Sequence, residues 1–126
     1  MVIKFDIVGY QAFDEFISNF NSNQKLVHIY FIGSKFPNGE SWCDDCNKAT
    51  SIIHELEELC DPESFLIIVQ VGDHLTWNDM DNPFRKDPRT QLIVLPTIIR
   101  WKLKKKLEGD VCLDSEALKM LLTGQE

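Results

Sequence analysis

No stretch of this sequence stays apolar over the ~20 residues that cross a membrane. Its opening, MVIKFDIVGY, has neither the basic start nor the long apolar centre of an export signal. A cytoplasmic protein is therefore expected, with thiols kept reduced and no membrane partner. Basic residues are outnumbered, 13 Lys and Arg against 20 Asp and Glu, for a net charge of −7. That balance argues against nucleic acid, which needs clustered cations to neutralise phosphates. The one basic run, KLKKK at 102–106, reads as a charged patch or as the solvated edge of a strand. Repeats, low-complexity tracts and interdomain linkers are absent, and 126 residues suit one domain over 1–126. A monomer is expected. Cysteine is sparse at Cys43, Cys46, Cys60 and Cys112, and neither a second CxxC nor an HxxxH is present. A tetrahedral zinc site would lack two ligands, so no metal is expected.

What is present alternates in period. VIKFDIV (2–8) is β-branched and alternating, hence a strand. The next segment sets Phe13, Phe16, Ile17 and Phe20 on one helical face. LVHIYFIG (26–33) and SFLIIVQVG (64–72) are near-continuous apolar runs, as strands buried on both faces should be. Between them lies a loop with Pro37 and Asn38-Gly39, then a helix from Cys43. Ala49, Ile52, Ile53, Leu56, Leu59 and Cys60 share its apolar face, and Pro62 ends it. A polar segment, 73–91, has room for one short helical turn. LIVLPTIIRWK and KKKLEG suggest a strand pair, and DSEALKMLL a terminal helix capped by Asp114 or Ser115. The order βαβαβ, then an antiparallel pair and a helix, predicts an α/β fold. Its central mixed β-sheet is flanked by helices on both faces.

SWCDDCNKA, residues 41–49, poses the chemical question. The pair Cys43 and Cys46 can hold a metal, be inert, or perform thiol chemistry. A helix N-terminus favours an anion, so it lowers a cysteine's pKa and populates the nucleophilic thiolate. Cys46, one turn on, is close enough for a disulfide. Such a dithiol reduces a target in two steps, Cys43 attacking and Cys46 resolving. Pro96 is a poor ladder residue. Placed before a β-run, it makes Leu95–Pro96 a candidate cis peptide. That would leave the Leu95 backbone free to pair with an extended substrate. Cys60 and Cys112 read as buried small hydrophobes, His28 as a satisfied strand residue, and His54 and His74 as solvated. Trp77 is either part of a specificity loop or its anchor.

WCDDC at a helix start, the βαβαβ order and the lone proline before the fourth strand resemble the thioredoxin fold. FIGSKFPNGESWCDDC, VQVGDHLTWNDMDNPFRKD and VLPTIIRW narrow the resemblance to the family of thioredoxin domain-containing protein 17, the 14 kDa thioredoxin-related proteins. It runs from about residue 3 to the C-terminus. The resemblance implies a cytosolic thiol-disulfide oxidoreductase that reduces cystine and oxidised proteins. It implies no bound cofactor, with electrons from NADPH through thioredoxin reductase, and dynein light chain as a further partner. Cys43 would be the nucleophile, Cys46 the resolving thiol, Trp42 a wall and Pro96 the cis proline. The rival reading is a thioredoxin-like adaptor with a weak or vestigial CxxC.

Two departures from the pattern stand out. The family's pair usually reads Cys-Pro-Asp-Cys, where this chain has Asp44. Like charges ~4–6 Å apart disfavour a thiolate, so Asp44 and Asp45 are expected to tune the Cys43 pKa, or to cap the helix. Ordinary thioredoxins also carry a buried aspartate on the preceding strand, where this chain has Tyr30 nearby. Asp45 is a candidate base in its stead. The acidic face of Asp44, Asp45, Asp73, Asp79 and Asp81 would favour small or basic substrates.

Overall fold

The structure, a computed structural model, describes residues 2–103 and 105–124. Lys104 of the basic run lies outside the described residues. A five-stranded mixed sheet has the order β1-β3-β2-β4-β5, from β1 (Ile3–Val8), β2 (Val27–Ile32), β3 (Phe65–Gln70), β4 (Thr97–Arg100) and β5 (Lys105–Glu108). β1 and β2 both run parallel to β3, while β4 and β5 add an antiparallel pair. Every residue of β2 is buried, which is why its sequence does not alternate. Its odd residues meet α1 (Tyr10–Asn19) on one face, with the Phe13 and Phe31 rings 5.7 Å apart. Its even residues meet α2 (Asp44–Leu56) and α5 (Ser115–Thr123) on the other. There Tyr30 reaches the Cys46 carbonyl, and His28 the Leu121 carbonyl. Helices thus cover both faces.

α2 stops sooner than the sequence pattern suggests. It tightens into a 3-10 turn over Glu57–Leu59, which adds rotation per residue. Leu59 is turned out and exposed, while Cys60 stays inside. The cause is Glu57, whose carboxylate is buried against Lys4 at 2.8 Å and His54 at 2.9 Å. The terminal helix starts at Asp114, whose carboxylate accepts from the Glu116 and Ala117 amides.

Segment 73–91 holds two short helices rather than one turn, α3 (His74–Asn78) and α4 (Pro83–Lys86). Asp73 caps the first and Asn82 the second. Asn82 Nδ2 also donates to Thr76 O at 2.9 Å, and Thr90 Oγ1 to Phe84 O at 2.7 Å. Trp77 is buried beneath the Arg85 guanidinium, 3.8 Å from its ring centroid, so it anchors the segment. The segment is moored to α1: Tyr10 donates to Asp87 at 2.8 Å, and Arg89 bridges Asp87 and Asp14 at 2.7 Å. The Arg89 hydrogen bonds outweigh burial and keep the Asp87 carboxyl below its ordinary range.

Candidate active site

The loop that leaves β2 carries the site. Ser34 N–H donates to Gly72 O at 2.9 Å, and Gly72 N–H to Ser34 Oγ at 2.8 Å, so the pairing of β2 with β3 continues into the loop. The loop then closes on itself through a Lys35–Ser41 bridge. Ser41 is buried and fully engaged. Its hydroxyl donates to Gly33 O at 2.7 Å and accepts from Cys43 N–H at 3.0 Å. Its own N–H and C=O are both taken by the side chain of Asn47, each at 2.9 Å.

Cys43 is the N-cap of α2 and is disulfide-bonded to Cys46, with Cα atoms 5.2 Å apart. Its Sγ accepts from Cys46 N–H at 3.2 Å. The sulfur itself therefore caps the helix, correcting the expectation that Asp44 or Asp45 would. Those two aspartates occupy the first turn instead, where the macrodipole favours them. Asp44 is exposed and lies 3.5 Å from Lys48. Cys46 is wholly buried, while Cys43 is only half-buried. One sulfur faces solvent at a helix N-terminus and its partner sits behind it. That asymmetry lets an attacking thiolate reach one end of the bond only.

Trp42 stands beside Cys43 and is held on three sides. Its Nε1 donates to Gly72 O at 2.8 Å. One side lies on Gly33, where a Cβ would come within 2.5 Å of the indole. The His74 ring lies 4.6 Å from it, tilted by 34°. His74 is exposed, as its reading as solvated has it, and it also leans on the indole. Gly72 has φ +122, a conformation open to glycine, which lets its N–H and C=O serve Ser34 and Trp42 together.

Behind the pair, Tyr30 Oη lies 2.9 Å from Cys46 O and 2.9 Å from Thr50 Oγ1, which itself donates to Cys46 O at 2.8 Å. Burial pushes the Tyr30 phenol well above its ordinary value, so it stays protonated. The Leu95–Pro96 peptide is cis. Thr97 pairs with Phe31, which sets Pro96 across from the end of β2 that feeds Gly33 and the cysteine loop. Leu95 is buried, and Pro96 O accepts from Gly109 N–H at 2.8 Å.

Of the other cysteines, Cys112 abuts this group, its thiol donating to Pro96 O at 3.5 Å, while the Cys60 thiol donates to Leu56 O at 3.5 Å. Burial pushes the Cys112 thiol up to about 12 and raises that of Cys60. The acidic face is partly neutralised by structural duties. Asp73 caps α3, Asp79 accepts from Asp81 N–H, and Asp81 pairs with Lys86 at 2.9 Å. Among the described residues, no three His, Cys, Asp or Glu side chains are grouped to hold a metal ion, and no helix is long and apolar enough to cross a membrane. Asn47, Ser41 and His74 were missed as site residues in the sequence. An Asn in a first helical turn, four residues after Cys43 and directly after Cys46, was the available signal.

Comparison with known proteins covers nearly the whole chain. The family profile described as thioredoxin domain-containing protein 17-like, thioredoxin domain, matches residues 6–124. Thioredoxin domain-containing protein 17 of Danio rerio is 33% identical, over 95% of this chain and 97% of that protein. The Homo sapiens protein of the same name is 31% identical over the same shares. Thioredoxin-like protein Clot of Arabidopsis thaliana is 35% identical, over 77% of this chain and 75% of its own length.

Proposed function

The chain belongs to the thioredoxin domain-containing protein 17-like family of thioredoxin domains, and from that premise we propose that it is a cytoplasmic disulfide reductase working through Cys43 and Cys46. The observation that carries the reading is the asymmetry of the pair: a half-buried sulfur at the start of α2 and a wholly buried one behind it.

In the reduced protein, Cys43 thiolate attacks one sulfur of a substrate disulfide. The Cys43–substrate bond forms, and the other half leaves as a thiolate. Cys46 loses its proton, attacks Cys43 Sγ, and releases the remaining half. The protein disulfide is thereby re-formed and two electrons have passed to the substrate. The α2 N-terminus supports the Cys43 thiolate, to which the Cys46 N–H already points. Asp44 and Asp45 act against it and set its population. Tyr30, held protonated, fixes the Cys46 carbonyl and does not receive the Cys46 proton. Asp45, half-buried in the same turn, is the base we assign to it. Trp42 walls the approach to Cys43, and the Leu95–Pro96 edge receives the substrate backbone. Thioredoxin reductase returns electrons from NADPH, and cystine and oxidised proteins are the substrate class. An adaptor role toward dynein light chain remains the competing reading.

The test is NADPH consumption by the protein with thioredoxin reductase and cystine. Turnover that vanishes in Cys43→Ser, and a stable mixed disulfide in Cys46→Ser, are expected. Absence of turnover in a folded wild-type chain with free thiols would move the assignment to the adaptor.

A further inference from the structure

We propose that Asn47 is a positioning residue that sets how readily Cys43 and Cys46 close into a disulfide, a reading that rests on the redox role proposed above. Helix α2 starts without a proline at its first position, where Asp44 stands. A proline there would fix φ and stiffen the start. The stiffness comes instead from side chains. Asn47 Oδ1 accepts from Ser41 N–H and Asn47 Nδ2 donates to Ser41 O, both at 2.9 Å, so one amide pairs with both polar groups of one residue. Each Asn atom meets a group of opposite character, which fixes the orientation of the amide. Ser41 Oγ in turn accepts from Cys43 N–H and donates to Gly33 O. Asn47 N–H closes the turn on Cys43 O at 3.1 Å. Residues 41–47 thus form a hydrogen-bonded ring with both cysteines inside it. The ring ties the entering loop to the end of β2 and to the body of the helix.

The consequence is thermodynamic. In the oxidised protein the disulfide itself restrains the segment, so the clamp removes little further freedom. In the dithiol the clamp is what keeps Cys43 near Cys46. Removing it releases conformations to the reduced form alone, and the effective concentration of one thiol toward the other falls.

The experiment equilibrates the protein with mixtures of reduced and oxidised dithiothreitol. Thiols are trapped by alkylation and the two forms counted by mass. In each exchange the protein dithiol gives two electrons and two protons to oxidised dithiothreitol and becomes the disulfide. Asn47→Ala should shift the equilibrium constant toward the dithiol by about three- to tenfold. Asn47→Asp keeps an acceptor for Ser41 N–H but loses the donor to Ser41 O, and should fall between. A residue that merely stabilises the fold would lower the melting temperature of both forms alike and leave the constant unmoved. An Asn47→Ala constant within twofold of the native value overturns the proposal. If Asn47→Ala folds in neither form, Asn47→Asp decides by the same criterion. The equilibrium involves only the chain's own cysteines. It is therefore readable even if thioredoxin reductase refuses the protein, and the two ideas fail separately.

Discussion

Gly33→Ala should damage this protein through one contact. The new Cβ would stand 2.5 Å from Trp42 Cε2 and 2.8 Å from Cζ2 and Nε1, closer than real carbon atoms approach. Gly33 is buried, and its φ lies outside the left-handed region, so the backbone accepts alanine and the cost falls on the indole. The ring must withdraw. Overpacking of this kind costs about 1–3 kcal/mol. Withdrawal also breaks the 2.8 Å bond from Nε1 to Gly72 O, worth about 1 kcal/mol, and parts the ring from His74. Alanine's smaller unfolded-state entropy returns about 0.5–1 kcal/mol. The net loss is about 2–3 kcal/mol, which lowers the melting temperature by roughly 10 °C for a chain of this size. Urea unfolding measures the first quantity and calorimetry the second. The decisive comparison is a double-mutant cycle with Trp42→Ala. With the indole gone, Gly33→Ala should cost about nothing. A cost of 2 kcal/mol or more in that background would refute the reasoning, because it would place the clash elsewhere.

Three further expectations can be checked on the same protein. Asp44→Asn removes a negative charge at the first position of α2, an interaction of ~0.5–1 kcal/mol with a neighbouring thiolate after screening and the Lys48 pair are allowed for. Cys43 in the reduced variant should therefore be alkylated about two- to fivefold faster at neutral pH, and an unchanged or slower rate contradicts the tuning role. His28 concerns stability. Burial first, and the Arg100 cation second, lower its pKa from 6.5 to about 4 in the folded chain, whereas the unfolded chain protonates near 6.5. Stability is then fully present above pH 6.5 and is lost as pH falls toward 4. Urea unfolding at pH 5 should show ~2 kcal/mol less stability from this group than at pH 7, and His28→Leu should flatten that slope. Finally, N-ethylmaleimide at pH 8 should mark Cys43 quickly in the folded, reduced protein. Cys60 and Cys112 should react only after unfolding, since burial raises both thiols; mass spectrometry reads the order, and prompt labelling of Cys112 would count against it.

The sheet and its helices were legible because their signals are periodic. The unbroken apolar run of β2 and the Phe13–Ile17 spacing of α1 report burial directly. The position of Cys43 at a helix start was legible too, from the change of period at that point. Features set by single side chains were not. Glu57 pulls its turn tight because Lys4 and His54 meet it there, and nothing in the spacing of Leu59 and Cys60 announces that. The contact of His74 with Trp42 joins the start of α3 to the loop before α2. The Asn47 clamp reads, in sequence, as an ordinary polar residue on a helix. The Asp73 and Asn82 caps mark both short helices in 73–91, yet a polar segment rich in Asp and Asn offers too many such signals to choose among. Asp44 and Asp45 illustrate the converse. Their chemistry suits a cap, but the chain already had a sulfur in that place.

Segment 73–91 behaves as a cassette. Its helices are capped from within, Trp77 and Arg85 close on each other, and its moorings run to α1 rather than to the helix that bears the dithiol. At Gly72, where it begins, it touches the wall of the site, and His74 leans on Trp42. A graft between Gly72 and Leu92 that kept the α1 moorings would change the surface beside Trp42 while leaving the Cys43–Cys46 bond in its native frame. The surface beside the cysteine pair and the frame that holds the pair can therefore diversify independently on this scaffold.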